Sequence, residues 1–101
     1  MTPYPATVIT PQGKILEEKI EFLSAPGQEG YLGILAHHAP LLTTLAKGIL
    51  KIQKSGTEQF WAISSGVLEV DQKGEVLVLA DTALPGNSLE EANARVKELA
   101  S

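Results

Sequence analysis

The 101-residue chain has 44% hydrophobic residues, enough for one core of its own, and no cysteine, which excludes disulfides, cysteine-ligated zinc, iron–sulfur clusters and thiol catalysis. Twelve acidic against eight basic residues give a net charge of −4, and the lysines are dispersed rather than gathered into the basic patch that phosphate neutralisation needs, which argues against nucleic acid. The opening MTPYPATVIT lacks the basic-then-apolar order of a signal peptide, and no apolar run approaches the roughly 20 residues of a membrane-spanning helix. A soluble domain is expected, with membrane association only through partner proteins.

In chain order the sequence is punctuated into short strands. ATVIT stops at Pro11, and Gln12-Gly13 turns the chain into KILEEKIEFLSA, which runs to Pro26-Gly27. Within KIEFLSA a period of two sets Ile20 and Phe22 on one face, Lys19 and Glu21 on the other. GYLGIL follows, then two hairpins: GILKIQK and TEQFWAIS around Ser55-Gly56, and GVLEV and EVLVLA around Gln72-Lys73-Gly74. In the last arm Val76, Val78 and Ala80 share one face and Leu77 and Leu79 the other, so this strand is expected to be covered on both sides or to meet another protein. The adjacent Phe60 and Trp61 must point to opposite faces, and an outward aromatic suits a protein interface. Many short strands with frequent turns predict a mainly β fold, a sandwich or barrel.

Pro85-Gly86-Asn87 breaks the strand pattern, and Ser88-Leu89-Glu90-Glu91 has the S-x-x-E form of a capping box. Leu89, Ala92, Val96 and Leu99 recur at helical spacing, acidic residues fill the first turn, and Glu91 and Arg95 form an i,i+4 pair. The expected organisation is a sandwich over 1–84, then a linker and one helix over 85–101, reaching Ala100 and docking its apolar stripe.

Chemistry is sparse. His37 and His38 are the only histidines; in extended chain they face opposite ways, in a helix they diverge by about 100°, and the nearest carboxylate in sequence is Glu29. Neither arrangement makes a four-ligand site, so no metal is expected. Ser64-Ser65-Gly66 lacks the G-x-S-x-G elbow of a nucleophilic serine, and no phosphate-binding loop is present. GQEGYLG, lying between strands, is expected to be a bent loop with positive-φ positions. Asp81-Thr82 is expected to form a turn in which the carboxylate caps backbone donors. No catalytic residue and no cofactor emerge. Composition and spacing give a β-rich interaction domain without naming its partner.

The ordered set EGYLGILAHHAPLLTTLAKGILKI, FWAISSGVLEV, VLVLADTA and SLEEANA resembles the epsilon subunits of bacterial F-type ATP synthases, from about Tyr4 to Ala94. The resemblance implies an N-terminal sandwich of about ten short strands, a C-terminal helical part, and a non-catalytic rotor subunit. Such a subunit sits beside gamma on the ring of c subunits and couples proton flow to ATP synthesis. It is peripheral, on the cytoplasmic face of the plasma membrane, and meets the alpha/beta catalytic head only transiently. It implies gamma contacts at Thr10, His38, Leu42 and Thr43, and ring contacts at Gln28, Glu29, Gly30 and Tyr31. Tyr31 stands where an acid is common in the family, and His37 where glycine is common. The ATP-binding pattern [IL]-D-x-x-R-A corresponds to Leu89-Glu90-Glu91-Ala92-Asn93-Ala94. Glu90 replaces the aspartate and Asn93 the arginine, so ATP is not expected to bind, with Arg95 at most a weak substitute. The family has two C-terminal helices where this sequence carries one, which implies a weak brake on ATP hydrolysis. Two rival readings are a small-ligand sandwich gripping an anion through its glycine loop, and a metal enzyme using His37, His38 and Glu29.

Overall fold

Strand alternation and turn chemistry organise the chain, of which the computed structural model describes residues 2–99. The strands are β1 (Tyr4–Thr10), β2 (Gly13–Ile20), β3 (Phe22–Gly27), β4 (Gly30–Ile34), β5 (Leu41–Leu45), β6 (Gly48–Lys54), β7 (Thr57–Ile63), β8 (Gly66–Val70), β9 (Val76–Ala80) and β10 (Ala83–Gly86), followed by α1 (Leu89–Glu98). One hydrogen-bonded path, β10-β7-β6-β3-β5-β8-β9-β1-β2, curls on itself, and β4 pairs with β3 at its side. Its two halves are the layers of the expected sandwich. All pairings are antiparallel except β1 with β9, where Ala6–Ile9 run beside Val76–Leu79.

KILEEKIEFLSA, expected as one run, is two strands. The chain bends at Glu21, whose N–H donates to the Gln53 carbonyl at 2.9 Å and whose Oε1 accepts from the Ser55 N–H. The bend resets the alternation: Ile20 and Leu23 are buried, while Phe22 turns outward beneath Lys51, whose Nζ lies 5.6 Å from the ring centre. Ile20 and Phe22 therefore do not share a face. Glu18 pairs with Lys54 near the same corner, tying β2 to the end of β6.

Between the layers lie Val8, Ile20, Leu23, Leu50, Ile52, Ile63, Leu68 and Val78, all essentially inaccessible. Tyr4 is buried with them, and its hydroxyl donates to the Ile34 carbonyl at 2.6 Å. Burial pushes the pKa of that hydroxyl upward, an effect the backbone at Leu23 partly opposes.

The strand pattern runs on through Pro85 and Gly86, which pair with Trp61 and Phe60, so β10 passes the expected boundary at 84 by two residues. Pro85 is tolerated because β10 is an edge strand. Ser88 caps α1, its Oγ accepting from the Glu91 N–H at 3.1 Å. The Glu91 carboxylate reaches back to the Asn87 N–H at 3.1 Å, one residue beyond the cap itself. With Glu91 so engaged, Arg95 pairs with Glu98 instead of Glu91.

The helix covers the outer face of β6, β7 and β10. Ile49, Ala62, Ala92 and Leu99 form a small buried group outside the main core, and Val96 is half-buried beside them. Lys47 Nζ donates to the Leu99 carbonyl at 3.2 Å, placing a cation where the helix dipole favours one. Leu89, expected in the buried stripe, is 52% exposed, and Ala100 lies outside the described residues. A Cβ at Gly86 would sit 2.7 Å from the Ala92 nitrogen and 2.9 Å from its Cα. Gly86→Ala should therefore lift α1 from its seat at a cost of about 1–3 kcal/mol. Amide exchange across α1 is expected to accelerate while exchange in β1 and β9 stays unchanged.

Candidate functional site

Because β9 is apolar on both faces and β5, β8 and β1 each add an aliphatic side chain on its outer side, an outward patch remains after the inner face is buried. Register aligns Thr44 with Val67, Val67 with Leu79, and Leu79 with Ile9, while Leu42 stands opposite Glu69 and Glu69 opposite Leu77. Leu42 is 71% and Leu79 44% exposed, while Ile9, Val67 and Leu77 are half-buried. No element of the described residues covers this face, whereas α1 covers the opposite one. Aliphatic side chains gathered at strand spacing on an uncovered face, two of them well exposed, suit a protein interface.

The four residues expected to meet gamma do not share one surface. Leu42 is outward. Thr43 lies opposite buried Leu68 and is half-buried on the inner side, since successive strand residues alternate. Thr10 is buried; its Oγ1 accepts from the Gln12 N–H at 3.2 Å and lies 3.3 Å from the Gly13 carbonyl, closing the β1–β2 turn. His38 is half-buried in the β4–β5 connection, with Nδ1 2.7 Å from the Ala39 carbonyl. Ile9, Val67, Leu77 and Leu79 were not singled out from sequence as contacts, although two-faced apolarity in VLVLA pointed toward them.

His37 has a conformational explanation. The His38 N–H donates to the Leu35 carbonyl at 3.3 Å, closing a turn in which His37 has φ 65°. That left-handed position disfavours L side chains and suits glycine. The side chain itself is exposed. No group of three His, Cys, Asp or Glu comes together among the described residues.

The expected glycine-rich loop is mostly strand. Gly27 pairs with Gly30 around a two-residue tip, Gln28-Glu29, and Gly30 has φ 131°. The tip residues are exposed, and the Gln28 N–H donates to the Thr44 carbonyl at 3.4 Å. Tyr31 stands apart: its ring reaches toward β6, and its hydroxyl accepts from the Ile49 N–H at 2.9 Å. Between β8 and β9 Ser65 Oγ donates to Asp81 Oδ2 at 2.6 Å, and the Asp81 N–H donates to the Ser65 carbonyl at 3.0 Å. The Asp81 carboxylate thus takes a side-chain donor rather than the backbone donors expected.

Between α1 and the sheet lies a cleft of about 430 Å³ whose walls include Tyr31, Lys51, Glu58, Phe60, Leu89 and Asn93. Its cation, Lys51, lies 3.4 Å from Glu58 Oε2. Arg95 is engaged by Glu98 at 3.3 and 3.4 Å. Glu90 and Ala94 are exposed on the helix and do not line the cleft.

With this geometry in view, residues 4–86 match the family described as ATP synthase, Delta/Epsilon chain, beta-sandwich domain. The chain belongs to this family. An ATP synthase epsilon chain from Pelotomaculum thermopropionicum is 41% identical over 87 residues, covering 86% of this chain and 64% of that one. A structure of the Euglena gracilis mitochondrial ATP synthase with its c-ring contains a chain that superposes with a TM-score of 0.81 at 27% identity, covering 97% of this chain and 63% of that one. A Tetrahymena thermophila mitochondrial ATP synthase central stalk and c-ring structure gives 0.74 at 17% identity, covering 96% and 90%, and establishes the fold alone. The family match ends at Gly86, before α1, and the chain spans just under two thirds of the curated relative. Within this ATP synthase delta/epsilon family the expected sandwich of ten strands is confirmed.

If His37 is placed by its turn, His37→Gly should be neutral or stabilising by up to about 1 kcal/mol, relieved strain being offset by glycine's extra unfolded-state freedom. His37→Val should destabilise by about 1–2 kcal/mol, because a β-branched side chain suits positive φ worst. Urea denaturation of the three proteins is the measurement, and a loss in His37→Gly equal to that in His37→Val would contradict the turn account.

Proposed function

We propose that the protein is the epsilon subunit of an F-type ATP synthase rotor, a non-catalytic part of the central stalk that joins gamma to the c ring. It would couple ion flow through that ring to ATP synthesis. The observation carrying this reading is the uncovered apolar face of β5, β8, β9 and β1 on a sandwich of this family. That face, centred on Leu42, Val67 and Leu79, is assigned to gamma. The polar Gln28-Glu29 tip, at a different place on the sandwich, is assigned to the ring loops. In this reading the protein is peripheral, at the cytoplasmic face of a bacterial plasma membrane. No helix among the described residues is long and apolar enough to cross a membrane.

Of the four sequence-implied gamma residues, Leu42 is the direct contact in this reading. Thr10 and His38 shape the turns that flank the face, and Thr43, turned to the inner side of β5, is not a direct contact. A regulatory nucleotide is not part of the proposal. The α1 cleft offers one lysine already paired with a carboxylate, Asn93 supplies no charge, and Arg95 is paired with Glu98. Triphosphate binding needs charge-assisted donors that this cleft does not leave free.

The sequence contains no cysteine, so an introduced one is unique. In an assembled, ion-pumping complex, Leu42→Cys should form a disulfide with a gamma cysteine several-fold faster than Thr43→Cys, and Glu29→Cys should be captured by the ring loop. Absence of both gamma and ring capture would remove the assignment. Separately, millimolar ATP should leave the melting temperature of the isolated protein within about 1 °C. A saturable rise of several degrees, the effect of ligand well above its Kd, would restore the nucleotide site.

A further inference from the structure

Strand β3 pairs with β6 only through Phe22–Ser24, opposite Lys51–Gln53. Beyond Ser24 it swings toward β5: Gly27 pairs with Leu45, and the Pro26 carbonyl accepts from the Ala46 N–H at 2.7 Å. The first turn of β6 is thus left without its β3 neighbour. Ile49 is 7% exposed, and a backbone N–H buried without an acceptor would cost about 1–3 kcal/mol. The acceptor is Tyr31 Oη, 2.9 Å away, supplied by the strand on the far side of β3. Tyr31 lies opposite Pro26, so its ring must cross β3 to reach β6. The crossing needs a bare backbone beneath it. A Cβ on Gly48 would stand 2.8 Å from the Tyr31 hydroxyl and 2.7 Å from Pro26 Cβ.

We propose that Tyr31 is a positioning residue for the Gln28-Glu29 tip and not itself a ring contact. The hairpin is held at its base from two directions, by the Gln28 N–H on the Thr44 carbonyl toward β5 and by Tyr31 on Ile49 toward β6. Two separate restraints, one at Gln28 and one at Tyr31, fix the direction of a two-residue tip more closely than either alone. Tyr31, 61% exposed as a residue, spends its hydroxyl inside the sandwich's own backbone network, which leaves Gln28 and Glu29 as the polar groups presented outward. The inference rests on the assignment of this tip to the c ring, and goes beyond it by separating the residues that touch from the one that aims them.

Two measurements test it. In the full-length protein alone, Tyr31→Phe keeps the ring and removes the acceptor, so exchange of the Ile49 amide should quicken about fivefold, the factor corresponding to one ordinary hydrogen bond. In the assembled complex, a Gln28→Cys reporter should form its disulfide with a ring-loop cysteine about fivefold more slowly in both Tyr31→Phe and Tyr31→Glu backgrounds. A direct contact predicts the opposite pattern, with Tyr31→Phe unchanged and Tyr31→Glu changed alone. Unchanged Ile49 exchange in Tyr31→Phe, or that contact pattern, overturns the proposal. If Gln28→Cys is not captured even beside an intact Tyr31 while Ile49 exchange still quickens, the ring assignment fails and the clamp on β6 stands.

Discussion

Alternation in strands that are apolar on both faces is the constraint from which the rest of this molecule follows. A sandwich can bury only one face of each layer, and here that face is filled by side chains such as Val8, Leu50, Ile63, Leu68 and Val78. The second apolar face must be covered by something else. On the layer containing β6, β7 and β10 the cover is intramolecular: Ala92 and Leu99 of α1 lie over Ile49 and Ala62, with Gly86 permitting the close approach. On the layer containing β5, β8, β9 and β1 the described chain supplies no cover, and Leu42 and Leu79 remain in water. Exposing such side chains forfeits on the order of 25 cal/mol per Å² relative to burial, which is why an uncovered face of this kind argues for a partner.

Backbone hydrogen bonding decides the details at the corners. Where β3 leaves β6 for β5, a donor is stranded, and Tyr31 meets it from a neighbouring strand. Where β2 becomes β3, Glu21 satisfies β6 and the following turn with both its backbone and its carboxylate. Where β4 becomes β5, a turn closed by the Leu35–His38 bond carries His37 at a positive φ. Polar residues that look like chemistry in the sequence are, at these three places, servants of chain direction. The same holds for Ser65 and Asp81, whose mutual hydrogen bond ties the start of β8 to the end of β9.

The helix links architecture to the nucleotide question. Its N-terminal cap, acidic first turn and basic last turn make it locally consistent, yet ten residues are too few to persist without the sheet beneath them. Docked, it forms a cleft that includes only Leu89 and Asn93 of the residues corresponding to the family's ATP pattern; Lys51 in that cleft is paired with Glu58, and Arg95, elsewhere on the helix, with Glu98.

The sequence by itself determined the strands with clear turns, the capped helix, the ten-strand β class and the family. Each of these depends on local periodicity, turn residues or an ordered set of short motifs. It also carried the two-faced apolarity of VLVLA, which left open whether that strand is covered within the fold or meets another protein. Only the tertiary structure decided which side chains gather on the outward face, because the answer depends on register between strands distant in sequence, such as Val67 beside Leu79 and Leu79 beside Ile9. It alone split KILEEKIEFLSA at Glu21, since the bend is held by Gln53 and Ser55, more than thirty residues away in sequence. It turned Thr43 inward and Leu42 outward, and it carried Tyr31 from the hairpin to a donor on β6. Local patterns fix what a segment can be; the direction a side chain finally takes is set by which backbone groups its distant neighbours leave unpaired.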